Sequence, residues 1–406
     1  MTRLFTYLIC VWSAFMVTGP AASADLAGTY GHDAKFLKQH SDAVVLKSPD
    51  SAASAVVVPE YQGRVMTSTT DGEKSFGWIN FALIHLNKRQ PHINVFGGED
   101  RIWLGPEGGQ FSVFFKEGDP FDLKHWQTPE GIDWGGWDVV GQREDAIQVR
   151  RSMTLKNYSG YTFDLTIDRI VSVLSRAASE TALGVKLPAD VELVGIESDN
   201  SLINRGKTAW TEGTGTLSIW ILGMLNASAS TTVVLPYAPG PVAKLGPYVN
   251  SDYFGDVPMD RLKIINGVAF FKGDAQFRSK IGVGPRRASD TIGSYDSESG
   301  VLTVCKYSRP KDETRYVNSQ WKIQDEPFGG DVVNAYNDGP ATPSGPQLGR
   351  FYELESSSSA AFLEPGEALT HVHRTFHFAG PRAKLTRVSR ILLGVDLDEI
   401  EKAWAE

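Results

Sequence analysis

Short apolar or alternating segments recur along most of the chain and are separated by turns containing Gly, Pro and Asn. Alternation with a period of two, rich in β-branched and aromatic residues, is typical of strands. The pattern predicts strands in AVVVPEY, RVMTSTT, FSVFF, AIQVRRSMTL, YTFDLTIDRIVSVL, LSIWILGML, TTVVLPY, VAFFKG and VLTVCKYS. Helical periodicity is confined largely to two segments near the ends, DAKFLKQH and LDEIEKAWAE.

These elements predict an all-β fold. Many strands without alternating helices are typical of sandwiches and barrels and not of βαβ folds. No linker, charge block or clear internal repeat divides the chain after its first residues. We therefore predict a single domain over residues 25–406, a large antiparallel β-sandwich with short terminal helices.

The first 24 residues have the composition of an export signal. Arg3 supplies positive charge, residues 4–19 are mostly apolar and uncharged, and Ala22-Ser23-Ala24 fits a cleavage site. The apolar run is shorter than the roughly 20 residues of a membrane span. We predict a signal peptide over residues 1–24 and a periplasmic or secreted protein without membrane insertion after cleavage. A retained N-terminal anchor is the alternative.

Charge and cysteine content exclude several function classes. The chain has 40 basic and 48 acidic residues, and loss of Arg3 with the signal leaves a net charge of −9, from 39 and 48. This balance argues against a nucleic-acid partner. Cys305 would be the only cysteine of the mature chain and lies in an apolar strand pattern, which argues against disulfides, cysteine nucleophiles and thiolate zinc sites. No cofactor is predicted, and the sequence gives no prediction of the oligomeric state.

The segment HINVFGGEDRIWLGPEGGQF, residues 92–111, combines two Gly pairs with charged and aromatic side chains. An Arg and acidic side chains form directional hydrogen bonds to hydroxyl groups, and an indole offers an apolar face. A sugar has both hydroxyl groups and apolar surface, so these residue types together indicate a sugar ligand. A strand-connecting loop with solvated charges is the alternative. The candidate ligand-binding residues here are Glu99, Asp100, Arg101, Trp103 and Glu107.

Two further segments are candidate loops around a ligand. Residues 124–140 carry three tryptophans among glycines, and an exposed aromatic cluster is typical of a binding site, with core filling as the alternative. Trp126 is the candidate there. Residues 329–340 contain Asn337 and Asp338, but Asn-Asp-Gly is also strong turn chemistry, so a turn without a binding role is the favoured interpretation.

The segment from residue 351 to 378 carries both acids and histidines. With a period of two, Glu353 and Glu355 share one face of a strand. His371, His373 and His377 share the polar face of a later strand, and three roles remain open for them: metal binding, a substrate or proton-transfer role, and a structural role. We do not predict a metal site.

The spacing of these pieces resembles the galactose mutarotase-like superfamily, which includes the aldose 1-epimerases, and within it an uncharacterised exported bacterial branch. The resemblance is carried by VVVPEYQGRVMTSTT, NVFGGEDRIWLGPEGG and FYELESSSSAAFLEPGEAL, in the same order over most of residues 55–380. It implies a β-supersandwich with a sugar cleft across its concave sheet.

The resemblance also implies roles for single residues. Leu354-Glu355-Ser356 matches the motif of the catalytic base, so Glu355 would remove the proton of the anomeric hydroxyl, with Glu353 as the fallback. Arg64 or Arg101 would match the arginine that orients the substrate.

The catalytic acid of the family has no match. Its early His-Gly-Gly stands here as Phe96-Gly97-Gly98, and no histidine occurs between positions 125 and 371. His371 or His373 would have to supply the proton from a different strand, or an acid would do so. The acidic candidates are Glu99, Asp100 and Glu107.

We therefore expect an exported carbohydrate-active protein that binds a mono- or oligosaccharide and acts on an anomeric centre or a glycosidic bond. A carbohydrate-binding protein that has lost the histidine pair and catalysis is the alternative. A structural or assembly protein without a small ligand is the third hypothesis.

Overall fold

The computed structural model describes residues 29–340 and 345–405, so the predicted signal peptide lies outside the described residues. Strands dominate this part of the chain. They are β1 (Val44–Lys47), β2 (Ser54–Val58), β3 (Arg64–Thr69), β4 (Arg101–Gly105), β5 (Asp138–Gln142), β6 (Ala146–Lys156), β7 (Thr162–Val173), β8 (Glu192–Asn204), β9 (Ser218–Asn226), β10 (Thr231–Pro236), β11 (Leu262–Ile265), β12 (Val268–Lys272), β13 (Ser279–Val283), β14 (Thr291–Asp296), β15 (Val301–Tyr307), β16 (Val333–Asn337), β17 (Phe351–Ser357) and β18 (Ala368–Ala379).

The helices are short and lie before, between and after the strands. They are α1 (Tyr30–His40), α2 (Phe81–Leu86), α3 (Arg176–Leu183), α4 (Val242–Leu245), α5 (Arg382–Leu393) and α6 (Leu397–Lys402), with 3-10 turns at Pro59–Tyr61 and Glu130–Ile132. None of the helices in residues 29–340 and 345–405 has the length and apolar character needed to cross a membrane.

The strands form three sheets. A small sheet has the order β1-β2-β3, a large one has the order β11-β12-β10-β14-β15-β18-β8-β7-β6-β5, and a five-stranded sheet has the order β13-β16-β17-β9-β4. Neighbouring strands within each sheet pair antiparallel, as between β16 and β17 and between β17 and β9. The predicted all-β, antiparallel fold class is confirmed.

The five-stranded sheet packs one of its faces on the ten-stranded sheet. Ile281, Ala335 and Leu354 of the former share a buried apolar cluster with Val233 and Cys305 of the latter. Burial raises the pKa of the Cys305 thiol to about 12, which keeps it uncharged. The opposite face of the five-stranded sheet is therefore the one that carries its polar side chains.

The helices agree with the sequence prediction only in part. Residues 30–40 and 397–402 are helical as expected, whereas the 12-residue helix α5 was not predicted. Helix α3 was not predicted, although Ser175 caps its first turn by accepting a hydrogen bond from the Ala178 N–H and Gly184 ends it with a φ of +71°. Eight residues give too few turns for an apolar period to stand out.

Two predictions of local structure are wrong. FSVFF is buried but does not form a strand, because its N–H groups are bound locally, for example Val113 to the Pro106 carbonyl. Residues 329–340 do not form only a turn, because Val333–Asn337 is a strand paired on both sides. Its polar side chains find partners on one face of the sheet, and this offsets their poor fit to a strand.

Candidate functional site

Alternation along β17 places Glu353 and Glu355 on the face of the five-stranded sheet that points away from the ten-stranded sheet. Asn334 of β16 lies opposite Glu355, and Tyr336 lies opposite Glu353. At the edge of the same sheet, Arg101 of strand β4 lies opposite Leu222 of β9, which itself lies opposite Glu355. We call this surface the polar face.

Glu355 is fully buried at the centre of the polar face. Its Oε2 accepts hydrogen bonds from Lys280 Nζ at 2.8 Å and from Trp220 Nε1 at 2.9 Å. The Lys280 ammonium also lies 4.6 Å from the centre of the Trp220 ring. An ammonium group and an N–H donor both favour the charged carboxylate. In the described part of the chain, the Oε1 of Glu355 has no hydrogen-bond partner.

Glu353 pairs with the edge strand. Arg101 Nη2 donates to Glu353 Oε1 at 2.9 Å, and the Arg101 guanidinium lies 4.3 Å from the centre of the Trp103 ring. Burial raises the pKa of Glu353 to about 7, which outweighs the opposing effect of the Arg101 charge. Within residues 29–340 and 345–405, Arg101 Nε and Nη1 and Trp103 Nε1 are buried without a partner.

Glu107 is a third carboxyl group near this pair. Burial raises its pKa, and the charge of Glu355 raises it further, while Lys280 and the N–H groups of Trp126 and Trp321 act in the opposite direction. Two neighbouring carboxyl groups thus lie in different environments. Glu355 is paired with Lys280, whereas burial raises the pKa of Glu107.

A loop before β11 covers part of the polar face. The Tyr253 hydroxyl donates to Asp331 and accepts a hydrogen bond from Asn334 Nδ2 at 3.1 Å. Asn250 Nδ2 donates to the other oxygen of Asp331 at 2.6 Å, and burial raises the pKa of Asp331 to about 6. The Tyr253 ring centre lies 5.4 Å from Lys280 Nζ.

Three of the predicted binding residues lie away from the polar face. His377 Nε2 contacts Glu99 Oε2 at 2.6 Å, and Arg169 contacts Asp100 at 2.5 Å. Arg64 donates to the Gly97 carbonyl at 2.9 Å, so its charge supports a backbone turn. The two glycines of that turn have φ of +94° and +103°, which glycine adopts without strain. Arg101, Trp103 and Glu107 are therefore the members of the 92–111 segment that the structure places at the polar face.

The histidines of β18 face the interior. His371 Nε2 and His373 Nδ1 both contact Ser356 Oγ at 2.8 Å, and Ser356 points to the opposite side of β17 from Glu355. Burial lowers the pKa of His371 to about 3 and that of His373 to about 4. The three histidines do share one polar face of β18, as predicted, but that face is buried, and their contacts fit the structural role among the alternatives. Near the C-terminal end of β18 its other face is covered by α5 and α6 through Phe376 and Phe378, so both faces are buried there.

The remaining predicted residues support the site from its edges. Asn337 Oδ1 accepts a hydrogen bond from the Ala275 N–H at 2.8 Å. Asp338 accepts one from the Tyr336 hydroxyl at 2.7 Å and so orients that ring. Trp126 is buried and stacked on Phe114, so the predicted exposure of the tryptophans in residues 124–140 is wrong for it.

Sequence reasoning missed four residues that build the polar face: Trp220, Tyr253, Lys280 and Trp321. Trp220 stands in an apolar strand pattern that hides its N–H donor. Lys280 could have been predicted from the alternation within SKIGV, which places it on the opposite face of the strand from the apolar Ile281 and Val283. No trio of His, Cys, Asp or Glu suited to a metal ion occurs among the residues that the structure describes.

Residues 28–404 match the model of a family of unknown function, DUF6786. The chain belongs to this family. The sequence matches none of the curated proteins.

Several solved structures are similar to this chain. A proposed aldose 1-epimerase from Escherichia coli K12 has a TM-score of 0.49 and 11% identity, over 82% of this chain and 99% of its own. One from Klebsiella pneumoniae has a TM-score of 0.47 and 10% identity, over 90% and 84%. A galactose mutarotase-like protein from Lactobacillus casei has a TM-score of 0.46 and 9% identity, over 82% and 99%. Their names belong to the superfamily that the sequence resembles.

Proposed function

We propose that the polar face binds a sugar and that Glu355 and Glu107 act as base and acid at its anomeric centre or at a glycosidic bond. The observation that supports this most is the pair of neighbouring carboxyl groups, of which Glu355 contacts Lys280 Nζ at 2.8 Å and Glu107 has a pKa raised by burial. Such pairs divide the acid and base roles in carbohydrate chemistry.

The proton transfers follow from these environments. Glu355 Oε1 has no partner in the described chain and is the oxygen that accepts a proton from the anomeric hydroxyl or from a water molecule. Glu107, whose raised pKa favours the protonated form, donates a proton to the ring oxygen or to the oxygen of the leaving group. In mutarotation the ring then opens and recloses with the proton transfers reversed, so both groups return to their starting states.

The proposal keeps the base that the resemblance implies and replaces the acid. His371 and His373 contact Ser356 on the other side of β17 and have strongly lowered pKa values, so they are poor proton donors at neutral pH. Glu107 supplies a proton donor at the polar face instead. The export predicted from residues 1–24 places this chemistry in the periplasm or outside the cell, as part of the same proposal.

A non-catalytic carbohydrate-binding protein is the second candidate. It is favoured by the closed polar face, where Tyr253 lies against Lys280 and where Glu353, Glu355 and Arg101 are all nearly inaccessible to solvent. A binding protein needs only slow loop opening, whereas fast turnover needs frequent opening.

The test is NMR of the mature protein with a panel of sugars and oligosaccharides. We expect faster exchange between anomers or new products, reduced at least about 100-fold by Glu355→Gln and by Glu107→Gln. Glu117→Gln, an exposed glutamate at the surface, is the matched control and should leave the rate unchanged. Binding without exchange or product would assign the second candidate, and no binding would contradict both.

A further inference from the structure

The hydrogen-bond capacity of the polar face is unbalanced toward donors. Arg101 has five N–H groups, and in the described chain only Nη2 has a hydrogen-bond partner, the Oε1 of Glu353. Trp103 Nε1, directly beside it, is a further buried donor without a partner among residues 29–340 and 345–405. On the same face, Glu355 Oε1 is a buried acceptor without one.

This imbalance is costly unless a ligand corrects it. A buried donor without a partner loses the hydrogen bonds that it would make to water, and the loss is greater when the group is charged. The Arg101 side chain is only 4% exposed, so bulk solvent does not satisfy it. A guanidinium is best matched by a planar or tetrahedral anion that accepts two parallel hydrogen bonds.

The direction of Arg101 is fixed from two sides. Its guanidinium rests on the Trp103 ring, and its Nη2 is held by Glu353. The free N–H groups therefore have a defined orientation before any ligand arrives, and this preorganisation lowers the entropic cost of binding.

We propose that the ligand of the polar face is a sugar that carries an anionic group, a carboxylate, sulfate or phosphate, which accepts hydrogen bonds from Arg101 and Trp103. The sugar ring then lies toward Glu355, whose free Oε1 accepts from a hydroxyl group. This inference rests on the proposed function and narrows its substrate class.

The test compares matched pairs of sugars by calorimetry and NMR: galactose with galacturonate, glucose with glucuronate, and galactose with its 6-sulfate and 6-phosphate. We expect at least one anionic sugar to bind at least about ten-fold more tightly than its neutral partner. The anionic sugar that binds most tightly shows whether the recognised group is a carboxylate, a sulfate or a phosphate. Arg101→Met should reduce this preference to about one-fold, whereas Arg143→Met, an exposed arginine, should not change it.

Glu353→Gln keeps the inference testable if Arg101→Met does not fold. It removes the negative charge that competes for Arg101, so the preference for the anionic sugar should increase about three-fold or more. Equal or tighter binding of the neutral sugars overturns the anionic substrate class and leaves the proposed function intact. Binding of neither kind of sugar overturns the proposed function itself.

Discussion

The two sides of strand β17 carry buried polar groups in two different states. On the side toward the ten-stranded sheet, all six ring nitrogens of His371, His373 and His377 have partners, which are Ser308, Ser356, Thr375, Thr303 and Glu99. On the polar face, Arg101, Trp103 and Glu355 keep buried atoms without partners in the described chain. Glu99 Oε1 is an exception on the inner side.

On the proposed function, the difference separates polar groups that hold the fold together from polar groups that bind a ligand. A buried polar group that is satisfied adds specificity to the packing, whereas an unsatisfied one lowers stability and must be retained for another reason. The histidines looked like catalytic candidates in the sequence because they alternate on a strand. Their complete set of hydrogen bonds indicates instead that they stabilise the packing between the two sheets.

Adjacent residues of β17 give the sharpest test of this contrast. Glu355→Gln removes the proposed base and should reduce turnover at least about 100-fold. Ser356→Ala leaves His371 and His373 without their shared partner and should lower the free energy of unfolding by about 2 kcal/mol with turnover unchanged. Activity assays and chemical unfolding of both variants measure the two effects. A loss of turnover in Ser356→Ala with normal stability would contradict a purely structural role for the inner side of β17.

The two sides should also differ in the sign of their pH dependence. The pKa values of His371 and His373 in the folded protein lie below the ordinary value of 6.5, so the unfolded state binds more protons. The stability that these two histidines contribute is therefore lost as pH falls from about 6.5 toward 4. Each histidine lowers the free energy of unfolding by up to about 1.4 kcal/mol per pH unit in this range. Glu353, with a pKa raised to about 7, stabilises the folded state at low pH, and this is lost as pH rises from about 4.5 to 7.

Unfolding measured from pH 4 to pH 7 distinguishes the two contributions. Relative to the unmodified protein, His371→Gln should make the slope of stability against pH less positive, and Glu353→Gln should make it more positive. Slopes that shift in the same direction in both variants would contradict the assignment.

Trp103→Phe tests one unpartnered donor with a smaller change. It keeps an aromatic ring under Arg101 but removes the N–H group together with part of the indole ring system. We expect the affinity for the sugar to fall about three- to ten-fold and the free energy of unfolding to fall by about 1–2 kcal/mol, because the smaller side chain leaves a cavity at a buried position. Trp137→Phe is the matched control, since it loses the same ring volume and also the hydrogen bond from its indole N–H to the Gly131 carbonyl at 2.9 Å, so it should lower stability further and leave the affinity unchanged.

Tyr253→Phe has the smallest expected effect. Its hydroxyl holds the loop before β11 to Asp331 and Asn334, so its removal should speed amide hydrogen exchange in residues 248–257 and raise the association rate of the sugar about two-fold. The dissociation constant should change little. An unchanged exchange rate would mean that this loop does not control access to the polar face.

The sequence predicts strands such as β6, β7 and β9 and the helices α1 and α6, because alternation and apolar runs are local, but it does not predict the long strand β8 or the helix α5. It predicts Arg101, Trp103, Glu107 and Glu355 as candidates from their composition and from a family resemblance. It does not reveal the partners of Glu355, because Lys280 and Trp220 lie 75 and 135 positions away along the chain. It also misplaces the histidines, since a polar strand face packed against a second polar surface has the same pattern as a solvated one.

The most direct test of whether the polar face binds the sugar is the indole N–H resonance of Trp103 during a sugar titration, followed in proton–nitrogen correlation spectra and assigned with Trp103→Phe. We expect a saturable shift of this resonance, with the dissociation constant found by calorimetry, while the ring resonances of His371 and His373 do not shift. Sugar binding that leaves the Trp103 resonance unmoved would contradict the assignment of the polar face as the sugar site.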